Sequence, residues 1–229
     1  MIPALVRSGQ WCFVRLAITA ILAGGIGACR ESSVSPALSA PTPLVAAIAR
    51  PEMRRGDFWE YEVFGGEAPT RWAIEVDEVL PGGRFRARVA DGVAPIGAIG
   101  EGTDVRRVEF DGPWNTVQPD PAWMLKYLQF PLTDGARWTS TATGPGATTR
   151  TLTQEVKGMQ ALQIAGASVA CARIEGSEAT TVSGPPSVTV LSQSTLWYCP
   201  ALRAVGRVET QVTGAPHVTQ QLVAVRAAQ

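Results

Sequence analysis

From Asp57 onward, apolar and polar residues alternate with a period of two in short runs, and nearly every run is cut off by glycine or proline. Arg84 to Val89, Thr148 to Val156, Ser187 to Trp197 and His217 to Val225 show the alternation most cleanly. A period of two sends successive side chains to opposite sides of an extended chain, so these runs read as strands. Pro81-Gly82-Gly83, Asp91-Gly92, Asp111-Gly112-Pro113, Asp134-Gly135, Gly144-Pro145-Gly146 and Gly184-Pro185-Pro186 supply the positive or fixed φ that turns require. Helical character is confined to Pro121–Leu128, where Asp120 can cap and proline sits at the first position. The pattern predicts an all-β fold, an antiparallel sandwich or a strongly bent, half-barrel-like sheet, with at most one short helix. An internal echo runs through it. Gly56-Asp-Phe-Trp59, followed by strands ending at Asp77-Glu78-Val79, is mirrored by Gly135-Ala-Arg-Trp138, followed by strands ending at Gln154-Glu155-Val156. Each half is expected to start with a glycine turn and an inward tryptophan.

The N-terminus follows different rules. Met1 to Arg15 contains Arg7 and Arg15 and no acid, and an apolar run from Leu16 to Ile26 follows. A basic segment, a short apolar segment and small residues form a secretory signal. The run falls short of the roughly 20 apolar residues that cross a bilayer as a helix. Ile26-Gly27-Ala28-Cys29 resembles the bacterial lipobox. That resemblance implies a diacylglyceryl group on the Cys29 sulfur, cleavage before Cys29 and acylation of the new amine, by palmitate or a similar chain. The membrane is then a partner through the anchor. Arg30 after the cysteine, where retention would favour aspartate, points to the outer membrane facing the periplasm. Proline and serine recur from Glu31 to Pro43 without apolar periodicity, the composition of a flexible tether. Leu44–Ala49 could form a brief helix or strand. The organisation expected is a signal peptide over 1–28, a lipidated cysteine and tether over 29–53, and a β-rich domain over 54–229.

Cys12 leaves with the signal and Cys29 is acylated, so Cys171 and Cys199 remain as an even pair in an oxidising compartment and are expected to form a disulfide. Basic and acidic residues balance at 20 each, and without Arg7 and Arg15 the chain is slightly acidic. With no basic cluster, nucleic acid is not an expected partner.

The search for chemistry yields little. His217 is the only histidine, which limits any Ser-His-Asp constellation to one base. Gly166-Ala-Ser168-Val-Ala170 lacks the closing glycine of a nucleophile elbow and runs into a strand, so a hairpin is the better reading. Gly97-Ala-Ile-Gly-Glu-Gly102 precedes no helix that would complete a phosphate loop. Glu60 with Glu62, and Glu75 with Asp77, sit two apart and read as solvated strand faces behind Trp59, Tyr61, Ile74 and Val76. No catalytic residue, metal-ligand set or cofactor is expected. The aromatic residues Trp59, Tyr61, Trp72, Trp138 and Trp197 are expected mostly in the core, with a cavity for an apolar ligand as the functional alternative.

Gly56-Asp-Phe-Trp-Glu-Tyr61, Phe130-Pro-Leu-Thr-Asp-Gly-Ala-Arg-Trp138, Val156-Lys-Gly-Met-Gln160, Ala165-Gly-Ala-Ser168 and Leu196-Trp-Tyr-Cys-Pro200 together resemble the motif succession of TapB-like bacterial envelope proteins. The resemblance spans most of residues 54 to 213 and implies a β-rich fold and an envelope address, with no site residues. Gln160 stands where a glutamate is common, and Cys171 and Cys199 also depart from the pattern. The resulting expectation is a non-enzymatic envelope module that binds an apolar ligand or an envelope protein. A structural spacer ranks second and a hydrolase a remote third.

Overall fold

The computed structural model describes residues 39–66, 68–91, 104–115, 125–144 and 146–228. Ten strands follow in order: β1 (Phe58–Phe64), β2 (Thr70–Val79), β3 (Phe85–Asp91), β4 (Asp104–Phe110), β5 (Arg137–Gly144), β6 (Thr148–Ile164), β7 (Ala167–Val182), β8 (Val188–Cys199), β9 (Ala204–Val212) and β10 (Val218–Arg226). They form one open antiparallel sheet of order β4-β3-β2-β1-β10-β9-β8-β7-β6-β5. The bent-sheet alternative therefore holds over two stacked sheets. Every neighbouring pair is consecutive in the chain except β1 with β10, so one crossover, from β4 to β5, carries the chain from one edge to the other.

That crossover runs over one face of the sheet, here called the core face. Trp114 packs edge-on against Tyr61, with ring centres 5.2 Å apart, Phe130 meets Tyr198 at 5.1 Å, and the Lys126 carbonyl accepts from Trp138 Nε1 at 2.8 Å. The helical turn expected over Pro121–Leu128 lies partly outside the described residues, and Leu125–Leu128 is not helical. Its peptide groups are bound elsewhere: Asn115 donates to the Leu128 carbonyl and accepts from the Leu128 N–H, while Ser140 Oγ accepts from the Lys126 N–H. A buried side-chain amide has taken the partners that a helix would need.

Bulges bend the sheet locally. The β6–β7 register shifts between Val156 and Gly158, and beyond it the end of the hairpin folds over the outer face of β8, β9 and β10. Gln221 of β10 donates to the Gln163 carbonyl of β6 at 3.4 Å, although the two strands stand four places apart, about 19 Å in a flat sheet. Gly206 makes the approach possible, because a Cβ there would stand 2.6 Å from Ile164 Cδ1 and 2.5 Å from Cys199 Sγ. Cys171 and Cys199, on adjacent strands with Cα atoms 4.0 Å apart, form the expected disulfide beneath this fold-over.

Ser39 to Met53, composed like a tether, is hydrogen-bonded to the domain. Thr42 and Met159 exchange backbone bonds of 2.8 and 2.6 Å, Ile48 and Leu132 do the same, and Leu44 N–H donates to Asp134. Arg50 reaches Asp111 at 2.7 Å and the Gly83 carbonyl at 3.0 Å. Gly158, at φ 116°, admits this segment: a Cβ there would lie 2.3 Å from the Thr42 carbonyl oxygen.

Asp57 closes the base of the sheet. It is 1% exposed; Oδ1 accepts from Arg203 at 2.7 Å and from the Ala228 N–H at 3.0 Å, and Oδ2 accepts from the Arg54 N–H at 2.8 Å. The entry to β1, the β8–β9 turn and the end of β10 thus share one carboxylate. Asp57→Asn removes its charge and leaves Arg203 without a counter-ion, and is expected to cost about 3 kcal/mol. Urea denaturation checks this as a lower midpoint at unchanged slope.

Candidate binding face

Register assigns every side chain to a face. On the outer face, Glu60 and Glu62 of β1 lie beside Arg71 of β2, Glu75 beside Arg88 of β3, and Trp197 of β8 between Arg173 and Arg207. Charges there neutralise one another. Arg71 bridges Glu60 and Glu62 at 3.2 and 3.4 Å, Glu75 pairs with Arg88 at 2.6 Å, and Asp77 pairs with Arg107 at 3.3 Å. The carboxylate pairs are therefore held by arginines. Glu60, expected to be solvated, is only 1% exposed under its arginine.

The core face carries four of the five aromatic residues singled out from the sequence. Trp59 is opposite Ile74, Tyr61 opposite Trp72, and Trp138 opposite Gln154. Tyr61, Trp72 and Trp114 form one cluster, with ring centres 4.7 to 5.6 Å apart. Trp59 Nε1 donates to the Leu202 carbonyl at 3.0 Å. Trp197 lies on the other face, under the folded-over hairpin. Its Nε1 donates to Gln160 Oε1 at 2.6 Å, its ring lies 6.0 and 5.8 Å from the Arg173 and Arg207 guanidiniums, and Gln160 in turn donates to the Ser39 carbonyl. The five residues do not share one cavity. A groove of about 380 Å³ does open elsewhere, between Arg50, Asp111, Lys126, Leu128, Phe130 and Pro131, and none of the five lines it.

The internal echo is structural. Gly56 N–H donates to the Val76 carbonyl and Val76 N–H to the Asp57 carbonyl; Gly135 N–H donates to the Val156 carbonyl and Val156 N–H to the Ala136 carbonyl. The register shift that follows Val76 matches the one that follows Val156. Val156 thus corresponds to Val76, three residues before the Val79 that the sequence pattern aligned with it. Trp59, Ile74 and Val89 then line up across three strands as Trp138, Gln154 and Gly176 do. Gln154 is 1% exposed, and neither Nε2 nor Oε1 has a hydrogen-bond partner. No sequence signal marked it. Only the corrected alignment with Ile74 shows that the position tolerates an apolar side chain.

Beside Gln154 the core face stays uncharged and half-buried through Gly176, Ser194, Thr210 and Val208. Farther up β6, Arg150 holds Glu178 at 2.6 Å and the Tyr127 hydroxyl at 3.2 Å. Ser168 and His217 lie at opposite ends of the sheet: Ser168 follows the β6–β7 turn, and His217 sits in the β9–β10 turn. Gly97–Gly102 and Cys29 lie outside the described residues. Among the described residues, no group of three or more His, Cys, Asp or Glu could hold a metal ion.

An open all-β sheet, ion-paired along one face and carrying its aromatic residues and the crossover on the other, defines the class of protein. No family model and no curated protein matches the chain, so the TapB-like motif succession finds no matching family. Similar solved structures include a Bacteroides fragilis protein described as exported, with a YmcC-like fold (14% identity, 79% of this chain and 100% of that chain, TM-score 0.46). Another is a Parabacteroides distasonis protein described as a lipoprotein (15%, 78% and 99%, TM-score 0.45). A third is the hypothetical lipoprotein YmcC from Escherichia coli (16%, 75% and 86%, TM-score 0.39). At identities this low, residue roles rest on this chain's own geometry.

Burial pushes the Tyr127 phenol up to about 12, with Glu178 adding to the rise and Arg150 opposing it, and burial raises Tyr61 and Tyr198 further. A phenol whose pKa is raised by folding stabilises the fold fully below its unfolded value of about 10, and that contribution is lost as pH rises through the folded value. An alkaline titration followed by tyrosinate absorbance should therefore show none of the three tyrosines ionising near pH 10, and all of them ionising together as the fold opens near or above pH 12.

Proposed function

We propose that this protein is a lipid-anchored component of the bacterial cell envelope, held through Cys29, and that its domain is a non-enzymatic module that binds an apolar ligand or an envelope partner. The observation that carries the anchor is Ile26-Gly27-Ala28-Cys29 behind a basic and apolar leader, only residues 30–38 ahead of the docked Ser39. Nine residues span at most about 30 Å when extended. The anchor would therefore hold the domain close to the membrane, by the end of the sheet at which Ser39 meets Gln160. The hairpin turns between β1 and β2, β5 and β6, β7 and β8, and β9 and β10 lie at the opposite end and would face away. Arg30 supports the outer membrane, facing the periplasm, as the address.

The division of the sheet supports a binding role. Both faces hold buried polar atoms without a hydrogen-bond partner, but on the outer face they belong to the ion-paired Glu60, Arg88, Arg173 and Arg207, whereas on the core face they belong to the neutral Gln154 and Gln220, beside half-buried Ser, Thr and Val positions. Such a face can accept an uncharged partner without stranding a charge. A spacer role is the second reading, favoured by the fixed docking of Ser39 to Met53. A hydrolase is the weakest, since Ser168 and His217 lie at opposite ends of the sheet.

Growth with radiolabelled palmitate should label the wild-type chain and leave Cys29→Ser unlabelled, uncleaved and released from membranes by a salt or carbonate wash. A soluble, unlabelled wild-type chain would overturn the anchor. Native mass spectrometry of the chain purified from its own envelope should show a retained apolar molecule or partner protein.

A further inference from the structure

We infer that the core face carries a recess for the backbone of an extended polypeptide, with the Gln154 carboxamide as its polar anchor and Gly176 as its floor. The first ground is the comparison of the two halves. Where the first half packs Trp59, Ile74 and Val89 side by side, the second has Trp138, Gln154 and Gly176, so two aliphatic side chains are exchanged for an amide and a bare backbone. The fold works with hydrocarbon at these positions, and the exchange brings no internal hydrogen bond in return.

The second ground is the cost of the arrangement. Both polar atoms of Gln154 are buried without a partner, which a folded chain rarely tolerates unless something supplies the missing bonds. A methyl built on Gly176 would stand 3.0 Å from Gln154 Oε1 and 3.1 Å from Ser194 Oγ, so an amide and a hydroxyl converge over the same side-chain-free backbone. The Gln154 carboxamide lies directly over Gly176, and Gly176 and Ser194 are half-buried rather than sealed, so the amide is approached along β7 and β8.

The chemistry of the occupant follows from the donors and acceptors. A carboxamide offers one N–H and one C=O side by side, and in an extended chain the N–H and C=O of a single residue point the same way, so the two pair face to face. The charged neighbours on this face, Glu178 two residues beyond Gly176 and Arg150, already hold each other at 2.6 Å, which leaves no unmatched charge for an anion or cation. A sugar ring would need an exposed aromatic face to stack on, and the nearest ring, Trp138, is buried with its Nε1 already bonded. Gln220 Nε2 on β10, also buried without a partner, lies on the same face four strands from Gln154. That is about 19 Å along the sheet, the length of about six extended residues.

This inference deepens the binding role proposed above and is independent of the anchor, so the palmitate experiment can succeed while this one fails. The test uses the full chain purified from membranes in detergent micelles, with ¹⁵N-glutamine labelling. The blocked hexapeptide acetyl-Ala-Val-Ala-Thr-Ala-Val-amide is one probe, and N,N′-diacetylchitobiose, which carries the same amide group on a sugar, is the other. The peptide should shift the Gln154 side-chain NH₂ signals in a saturable way. Gln154→Ile, which restores the residue of the first half, should weaken peptide binding at least tenfold while raising the melting temperature. Unmoved Gln154 signals, undiminished peptide affinity in Gln154→Ile, or a response to the disaccharide alone would each overturn the assignment. The wild-type titration decides the matter even if the variant does not fold.

Discussion

The pairing of β1 with β10 makes this chain one sheet. Without it, β1 to β4 and β5 to β10 would be two separate meanders joined by a crossover, each with an additional unpaired edge. The seam joins Phe58 to Arg226 and Phe64 to Thr219, residues more than 150 positions apart, so its loop-closure entropy is lost before its bonds are gained. Asp57 lies at its base and brings the Arg54 N–H, the Arg203 guanidinium and the Ala228 N–H to a single carboxylate. Seam and carboxylate together set the shape of the core face, because the rows of side chains on both halves run through them.

From that constraint comes the separation of the two faces. The crossover covers much of the core face with Trp114, Leu128 and Phe130, and the outer face is divided between the folded-over β6–β7 hairpin and ion pairs between neighbouring strands. Exposed pairs of this kind each contribute little to stability. Their effect is to leave the outer face without unmatched charge, whereas the strip of β7 to β10 on the core face, where the binding role is proposed, stays half-buried.

Much of the fold is legible in the sequence because alternation is a local signal. The starts of β3, β6, β8 and β10 fall within one residue of the alternating runs, and the glycine turns at Gly56 and Gly135 set Trp59 and Trp138 inward as their spacing implies. Cys171 and Cys199 are readable by elimination, given export. What stayed hidden depends on register and on distant partners. The period of two says which residues of one strand share a face but not how that face matches the next strand, so it could not show that Trp197 lies apart from the other aromatics. Ser39 to Met53 looks like a tether because it docks through isolated bridges and side-chain hydrogen bonds, which leave no periodicity. Asn115 cancels the helix at Leu128 from thirteen residues away. Gln154 draws no notice in sequence, and its meaning comes only from the isoleucine at the matching place in the other half.

The claim that one seam unites both halves is open to direct measurement by native-state hydrogen exchange in rising denaturant, read by mass spectrometry. Peptides from β2 and β3 should lose protection at the same denaturant concentration and with the same slope as peptides from β7 and β8. Earlier opening of β1 to β4, with β5 to β10 still protected, would show two independent units and contradict a single core face.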